Sequence, residues 1–291
     1  MKSEKGFIHL LIAAEVIVLI VVILFGVVKK VTVPEEQTGH VVSTQDNQIV
    51  ELPENTEEPV DVLPPETEEE IAEVAFSADV EAAMVEMTLE EKVAQLFIVS
   101  PETLTGADRV TIAGNGTRNA LEDYPVGGIL YARRNYLGQV QMRDLLRGAQ
   151  DMSHEQSGRY LFAGTLAEIG EEIVIVNVPV GQEELMAGVI TATDIPTNQD
   201  IENMERILYV QELEGISQER AAEQLCCYNV TNGGQAAVEA VNTGVDMLCV
   251  TDGFTTVYEV VLEAAETGEI SEDTLRQAVG RILTRKETLV Q

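Results

Sequence analysis

The chain has 291 residues and a formal net charge of −32, from 50 acidic and 18 basic side chains. A surface that acidic repels phosphate backbones, which excludes nucleic-acid binding. Three cysteines, two of them adjacent at Cys226 and Cys227, set up no disulfide framework and read as small buried hydrophobes.

From Phe7 to Val28 the sequence is apolar apart from His9 and Glu15, with Lys2 and Lys5 before it and Lys29 and Lys30 after it. At 1.5 Å per residue, such a run crosses a hydrocarbon core of about 30 Å. Gly26-Val27-Val28-Lys29 offers no small-x-small cleavage site, so an uncleaved single-pass anchor is expected over 7–28, within an N-terminal region 1–30. The flanking lysines tie, so the positive-inside rule leaves orientation open. The simplest arrangement keeps the short amino end inside and carries the rest outside the cytoplasm, at the cell membrane. Residues 31–78 then hold five of the nine prolines, no Lys or Arg, and the acidic runs Glu57-Glu58 and Glu68-Glu69-Glu70. Such a stretch repels itself and lacks apolar surface to bury, and it reads as a disordered, solvated stalk.

Residues 79–291 read as one α/β domain. Short, nearly continuous apolar runs predict strands at 95–100, 127–131, 160–163, 173–178, 186–191 and 246–251, as expected of strands covered on both faces. Thr88-Leu-Glu-Glu91 has the form of a capping box. A helix is predicted over 137–152 with Val140, Leu145 and Leu146 inward. Another is capped by Ser271, with Leu275, Ala278, Val279, Ile282 and Leu283 as its apolar stripe. Alternating strands and helices predict a parallel sheet, open or closed into a barrel, although the domain is shorter than the about 250 residues typical of eight βα units.

Several blocks, in order, resemble a known family. They are Met87-Thr-Leu-Glu-Glu-Lys-Val-Ala-Gln-Leu-Phe97, Pro101-Glu-Thr-Leu-Thr-Gly106, and Tyr124-Pro-Val-Gly-Gly-Ile-Leu-Tyr131 with Asn135 nearby. Further on come Ala236-Ala-Val-Glu-Ala-Val-Asn-Thr-Gly-Val-Asp-Met-Leu248, Gly268-Glu-Ile-Ser-Glu272 and Arg281-Ile-Leu-Thr-Arg-Lys286. Over about 84–163 and 233–290 the chain resembles the N-terminal domain of glycoside hydrolase family 3, in particular its β-N-acetylhexosaminidase branch. The resemblance implies a (β/α)-type TIM barrel and retaining hydrolysis of terminal β-N-acetylhexosaminides. It also implies a cell-wall glycan or aminosugar as ligand, and no metal or organic cofactor.

The middle departs from the family where its chemistry should lie. The acidic Asp-(Glu/Gln)-Glu-Gly-Gly motif is absent where Tyr160-Leu-Phe-Ala163 runs into Gly164. The Lys-His-Phe-Pro-Gly segment and the loop that supplies a histidine acid/base have no counterpart. Val189 stands where the family tends to have His, and Gln218-Glu219-Arg220 occupies the place of the Thr-Asp nucleophile pair. Two or more βα units are missing between about 164 and 215, so the expected fold is a shortened or incomplete TIM-type barrel. No catalytic, substrate-binding or metal residue is assigned. His154 reads as a solvated position after its helix, and Glu219 as part of a capped helix start. Glu168, Glu171 and Glu172 read as solvated loop or first-turn charges, and Asn232-Gly-Gly234 as a turn or helix entry. Asp252-Gly253 and Arg133-Arg134-Asn135 follow strands, where barrel sites are built, or else simply face solvent. Three readings stay open: an anchored glycosidase with weak or lost activity, a non-catalytic glycan- or protein-binding relative, and a shortened product without function.

Overall fold

The structure, a computed structural model, describes residues 75–169, 172–185, 204–213, 216 and 224–290. All fall within one compact unit, Glu69–Gln291. The expected anchor at 7–28, nearly all of the stalk, the strand at 186–191, Glu171, Val189 and Glu219 lie outside the described residues. Among the described residues no helix is long and apolar enough to cross a membrane.

Seven strands close into a barrel in chain order: β1 (Phe97–Val99), β2 (Gly128–Leu130), β3 (Phe162–Ile169), β4 (Glu172–Asn177), β5 (Glu205–Val210), β6 (Cys226–Asn229) and β7 (Met247–Val250). The helices are α1 (Ala78–Glu86), α2 (Leu89–Gln95), α3 (Pro101–Thr105), α4 (Asn115–Asp123), α5 (Gln139–Ser157), α6 (Gly234–Asn242), α7 (Phe254–Thr267) and α8 (Glu272–Thr288), with a 3₁₀ turn at Arg133–Asn135. The barrel confirms the α/β class but corrects the all-parallel expectation. β4 runs antiparallel to both β3 and β5, whereas the other five pairings are parallel. The cause is chain length. Only two residues separate Ile169 from Glu172, enough for a hairpin, whereas a parallel return needs a crossover of a dozen or more.

Strand alternation sets Ile98, Gly128, Phe162, Gly164, Ile175, Asn177, Ile207, Cys227 and Cys249 on the axial side of the barrel. A seven-stranded barrel is narrower than an eight-stranded one, and the axial residues show it. A Cβ on Gly128 would lie 2.9 Å from that of Phe162, and one on Gly164 would run into Ile175 and lie 2.6 Å from Asn177 Oδ1. The outer face carries Phe97, whose ring meets Phe254 at 5.3 Å and Tyr258 at 5.9 Å on α7. All three cysteines are buried, and none forms a disulfide.

Local signals held where the family blocks lie. Thr88 Oγ1 accepts from the Glu91 N–H at 3.2 Å and Glu91 Oε2 accepts from the Thr88 N–H at 3.1 Å, completing the capping box of α2. Ser271 Oγ accepts from the Thr274 N–H, and the predicted stripe of α8 is buried throughout. On α5 the buried face is Met142, Leu145, Leu146 and Ala149, while Val140 points outward. That corrects the inward placement of Val140: counted back from Leu146 and Met142 at helical spacing, position 140 falls off the stripe. The strand predicted at 160–163 instead runs on to Ile169. Thr165 and Ala167 are buried while Leu166 and Glu168 are exposed. Gly164 and the missing motif disguise this period-two pattern as a loop. β5 and β6 were not anticipated; Glu205 and Arg206 open the first and Asn229 ends the second, so neither reads as a continuous apolar run.

Candidate active site at the barrel mouth

The parallel strands deliver their C-terminal ends to one mouth, where barrel sites are built. A cavity of about 340 Å³ opens there, lined from four strand ends: Ser100 and Glu102 after β1, Leu130 to Asn135 at and after β2, Thr165 and Leu166 in β3, and Thr251 after β7. Helix α3 starts at once after β1 because Ser100 caps it, its Oγ accepting from the Thr103 N–H at 3.2 Å. Pro101 takes the first helical position, where its missing N–H costs nothing. This places Glu102 in the first turn, at the rim.

Glu102 is the carboxylate of this cavity, and it is already engaged. Its Oε1 accepts from Asn135 Nδ2 at 2.7 Å and the Val110 N–H at 3.0 Å, and lies 3.6 Å from Arg134 Nε. Asn135, fully buried, also donates to the Val110 carbonyl at 2.9 Å, and its Oδ1 accepts from the Ala132 N–H at 2.9 Å. One amide therefore ties the β1 rim, the loop before α4 and the turn after β2 together. Arg134 Nη2 donates to the Asp108 carbonyl at 2.5 Å, and Arg109 Nε donates to the Arg134 carbonyl at 2.6 Å. Arg133 is exposed and stacks its guanidinium over Tyr136 at 5.2 Å. Tyr131 is buried beside Glu102; burial, and then that carboxylate, push its phenol above the ordinary tyrosine value. It stays a neutral hydroxyl.

The residues weighed from sequence fall as follows. Arg133, Arg134 and Asn135 do line the mouth. Asp252 is exposed, and Gly253, at φ 64°, caps α7. His154 lies within the last turns of α5 rather than after it, exposed, with its ring stacked on Tyr160 at 4.4 Å. Glu168 and Glu172 are strand residues of the β3–β4 hairpin, not loop or first-turn charges. Glu168 is exposed and shares the face of β3 that carries Leu166. Gly233, at φ 88°, admits the chain to α6, and a Cβ on Gly234 would collide with Val260. This makes Asn232-Gly-Gly234 a helix entry. Reading the sequence missed Glu102, Tyr131, Thr165 and Thr251 as mouth residues. The available signal was position alone, just beyond the end of an apolar strand.

Opposite the mouth, the barrel is closed by a buried ion pair and a lysine–glutamine hydrogen bond. Asp246 is buried, accepting from Arg281 Nε at 2.5 Å and the Cys226 N–H at 2.9 Å. Burial outweighs both and pushes its carboxyl up to about 6. Lys286 donates to Gln95 Oε1 at 2.7 Å, and burial, reinforced by Arg159, holds its ammonium well below the usual lysine range. These residues hold α8 to the barrel and take no part in the mouth.

No family model matches the chain, and no curated protein matches it. Among solved structures it is similar to a glycoside hydrolase family 3 β-N-acetylglucosaminidase from Paenibacillus sp. str. FPU-7, with 15% identity over 70% of this chain and 63% of that one, at a TM-score of 0.48. It is also similar to a fungal multi-domain family 3 β-N-acetylglucosaminidase, with 10% identity over 70% of this chain and 40% of that one, at 0.48. A third is an exo-1,3/1,4-β-glucanase from a Pseudoalteromonas species, with 12% identity over 75% of this chain and 43% of that one, at 0.47. The chain thus spans less than two thirds of each of these enzymes. Likenesses at this level transfer neither substrate nor residue roles, since one fold hosts many functions.

Proposed function

We propose that this protein is a membrane-tethered relative of the glycoside hydrolase family 3 barrels that holds an aminosugar or short wall glycan at its mouth and hydrolyses it weakly or not at all. The family reading is supported by the sequence blocks at 84–163 and 233–290, which fall on the flanks of the closed barrel. The tether is read from residues 7–28, and the simplest orientation, with the short amino end inside, would carry the domain outside the cytoplasm. The observation that carries the loss of chemistry is the state of Glu102. Retaining hydrolysis requires a nucleophile and a separate acid/base about 5–5.5 Å apart. Among the described residues lining the cavity there is one carboxylate, and its Oε1 already serves Asn135 and Val110. Binding asks less. A cavity of about 340 Å³ falls in the range of small-ligand sites, and Arg133, Tyr131, Thr165 and Thr251 offer polar groups around an apolar wall.

Titration of the full chain with N-acetylglucosamine oligomers by calorimetry tests this. Saturable binding is expected, weakened about tenfold by Thr165→Val or Arg133→Ala, the loss of one good hydrogen bond each. Absence of binding by a folded chain, or binding indifferent to both substitutions, would remove the mouth from the account.

A further inference from the structure

Three large apolar side chains stand in solvent beside the mouth. Ile112 is 72% exposed, Leu137 63% and Val140 62%. Single exposed hydrophobes need no explanation, but these converge. Gln141 Nε2 donates to the Thr111 carbonyl at 2.5 Å and the Asn135 carbonyl at 3.1 Å, and its Oε1 accepts from the Leu137 N–H at 2.8 Å. One glutamine therefore gathers the loop carrying Ile112, the segment before α5 with Leu137, and the first turn of α5 with Val140.

The same place breaks the charge pattern of the protein. The chain as a whole carries 18 basic and 50 acidic residues, whereas four arginines gather at this rim. Arg109, Arg133 and Arg134 are exposed around Leu137, and Arg143 follows Val140 by three residues on α5. Among the described residues the facing acids are Asp108, Asp144, which pairs with Arg143 at 2.9 Å, and Glu102, which is mostly buried. Only charges within about 10 Å of a surface act on it at ordinary ionic strength, so this local balance, not the net −32, governs approach.

We infer that this rim is a membrane-docking surface. Ile112, Leu137 and Val140 enter the boundary between headgroups and acyl chains of an anionic bilayer, and Arg109, Arg133, Arg134 and Arg143 lie at the level of the phosphates. The inference rests on the proposed tether, which would keep the domain beside a bilayer. Because Arg133 and Arg134 also line the mouth, docking sets the ligand cavity at the membrane surface.

The chain has no tryptophan, so Leu137→Trp supplies a single reporter, excited apart from tyrosine. Val85→Trp is the reference, since Val85 is 83% exposed on α1 between Glu81 and Glu86. The full-length chain is reconstituted into vesicles of phosphatidylcholine with or without phosphatidylglycerol, and quenching by brominated acyl chains is measured. Leu137→Trp should be quenched at least about twofold more than Val85→Trp, and the excess should shrink without the anionic lipid. Ile112→Trp repeats the test should the first variant misfold. Flotation of the same vesicles at high salt reports the tether separately. Equal quenching at Leu137 and Val85 overturns docking whether or not the chain floats. A chain that fails to float removes the tether alone. Fluorescence changes that follow protein rather than lipid concentration would make the rim a contact between copies and also overturn docking.

Discussion

Asn135 and Asn177 are both fully buried amides, one in the flank that resembles the family and one in the rebuilt middle, and they are treated in opposite ways. Asn135 makes three hydrogen bonds to three separate segments. Asn177, on the reversed strand, makes only a 3.5 Å bond to the Ile175 carbonyl, and its Oδ1 has no partner. The flank is a set of parallel strands whose ends meet in a satisfied polar network. The middle closes the same barrel with a hairpin, and its axial packing is governed by space rather than by polar partners.

The largest expected effect is at the point where the middle is tightest. Gly164→Val puts a branched side chain into the volume of Ile175 and Asn177 Oδ1. Overpacking of this kind should destabilise by about 3 kcal/mol or prevent folding, read by denaturant melts. A variant as stable as the parent would mean that β4 does not lie against β3 as described.

Asn135→Ala should cost about 2–3 kcal/mol, because it strands the buried Val110 carbonyl and the part-buried Ala132 N–H and leaves a cavity behind. Asn177→Val removes an amide whose oxygen has no partner, and should stay within about 1 kcal/mol of the parent. A reversal of that order in thermal melts would undo the contrast between the two regions.

Arg281→Ala tests the ion pair that holds α8 in place. Removing the cation leaves Asp246 buried without its partner, a change worth about 3 kcal/mol where the carboxylate is ionised. Asp246 already has a folded-state value near 6, above that of an unfolded aspartate, and losing Arg281 raises it further. A group raised in this way favours the folded state at low pH and loses that contribution as pH climbs through the folded value. The destabilisation should therefore be larger at about pH 8 than at about pH 5. A pH-independent loss would show that Arg281 acts through packing alone.

The smallest effect belongs to the exposed hairpin. Glu168→Gln, on a solvated strand position, should leave stability within about 0.5 kcal/mol.

These contrasts also mark what the sequence could disclose. The capping box at Thr88, the stripe of α8 and strands β1, β2 and β7 were legible because local pattern and tertiary role agree there. The reversal of β4 was not, because Ile173 to Val178 has the same apolar composition whether the strand runs parallel or antiparallel. Direction was set by the two-residue spacing between Ile169 and Glu172, and a reading that took 164–170 for a loop could not find it. Val140 was misplaced because an apolar residue at the start of a helix was assumed to be inward. The mouth was half legible: Arg133-Arg134-Asn135 were placed there, but Glu102 drew no notice within a block that reads as family resemblance.

The central proposal, a barrel resembling glycoside hydrolase family 3 whose mouth lacks a hydrolytic pair, is tested most directly by turnover. The full chain should be assayed on an aryl β-N-acetylglucosaminide across acidic to neutral pH, beside Glu102→Gln, Glu168→Gln and Glu219→Gln. Residues that act as a unit leave little rate behind once the unit is broken, so release of the aryl group should be at or barely above the buffer blank in all four proteins. Robust turnover by the parent, abolished by any one of these substitutions, would contradict the account and identify the carboxylate that took over.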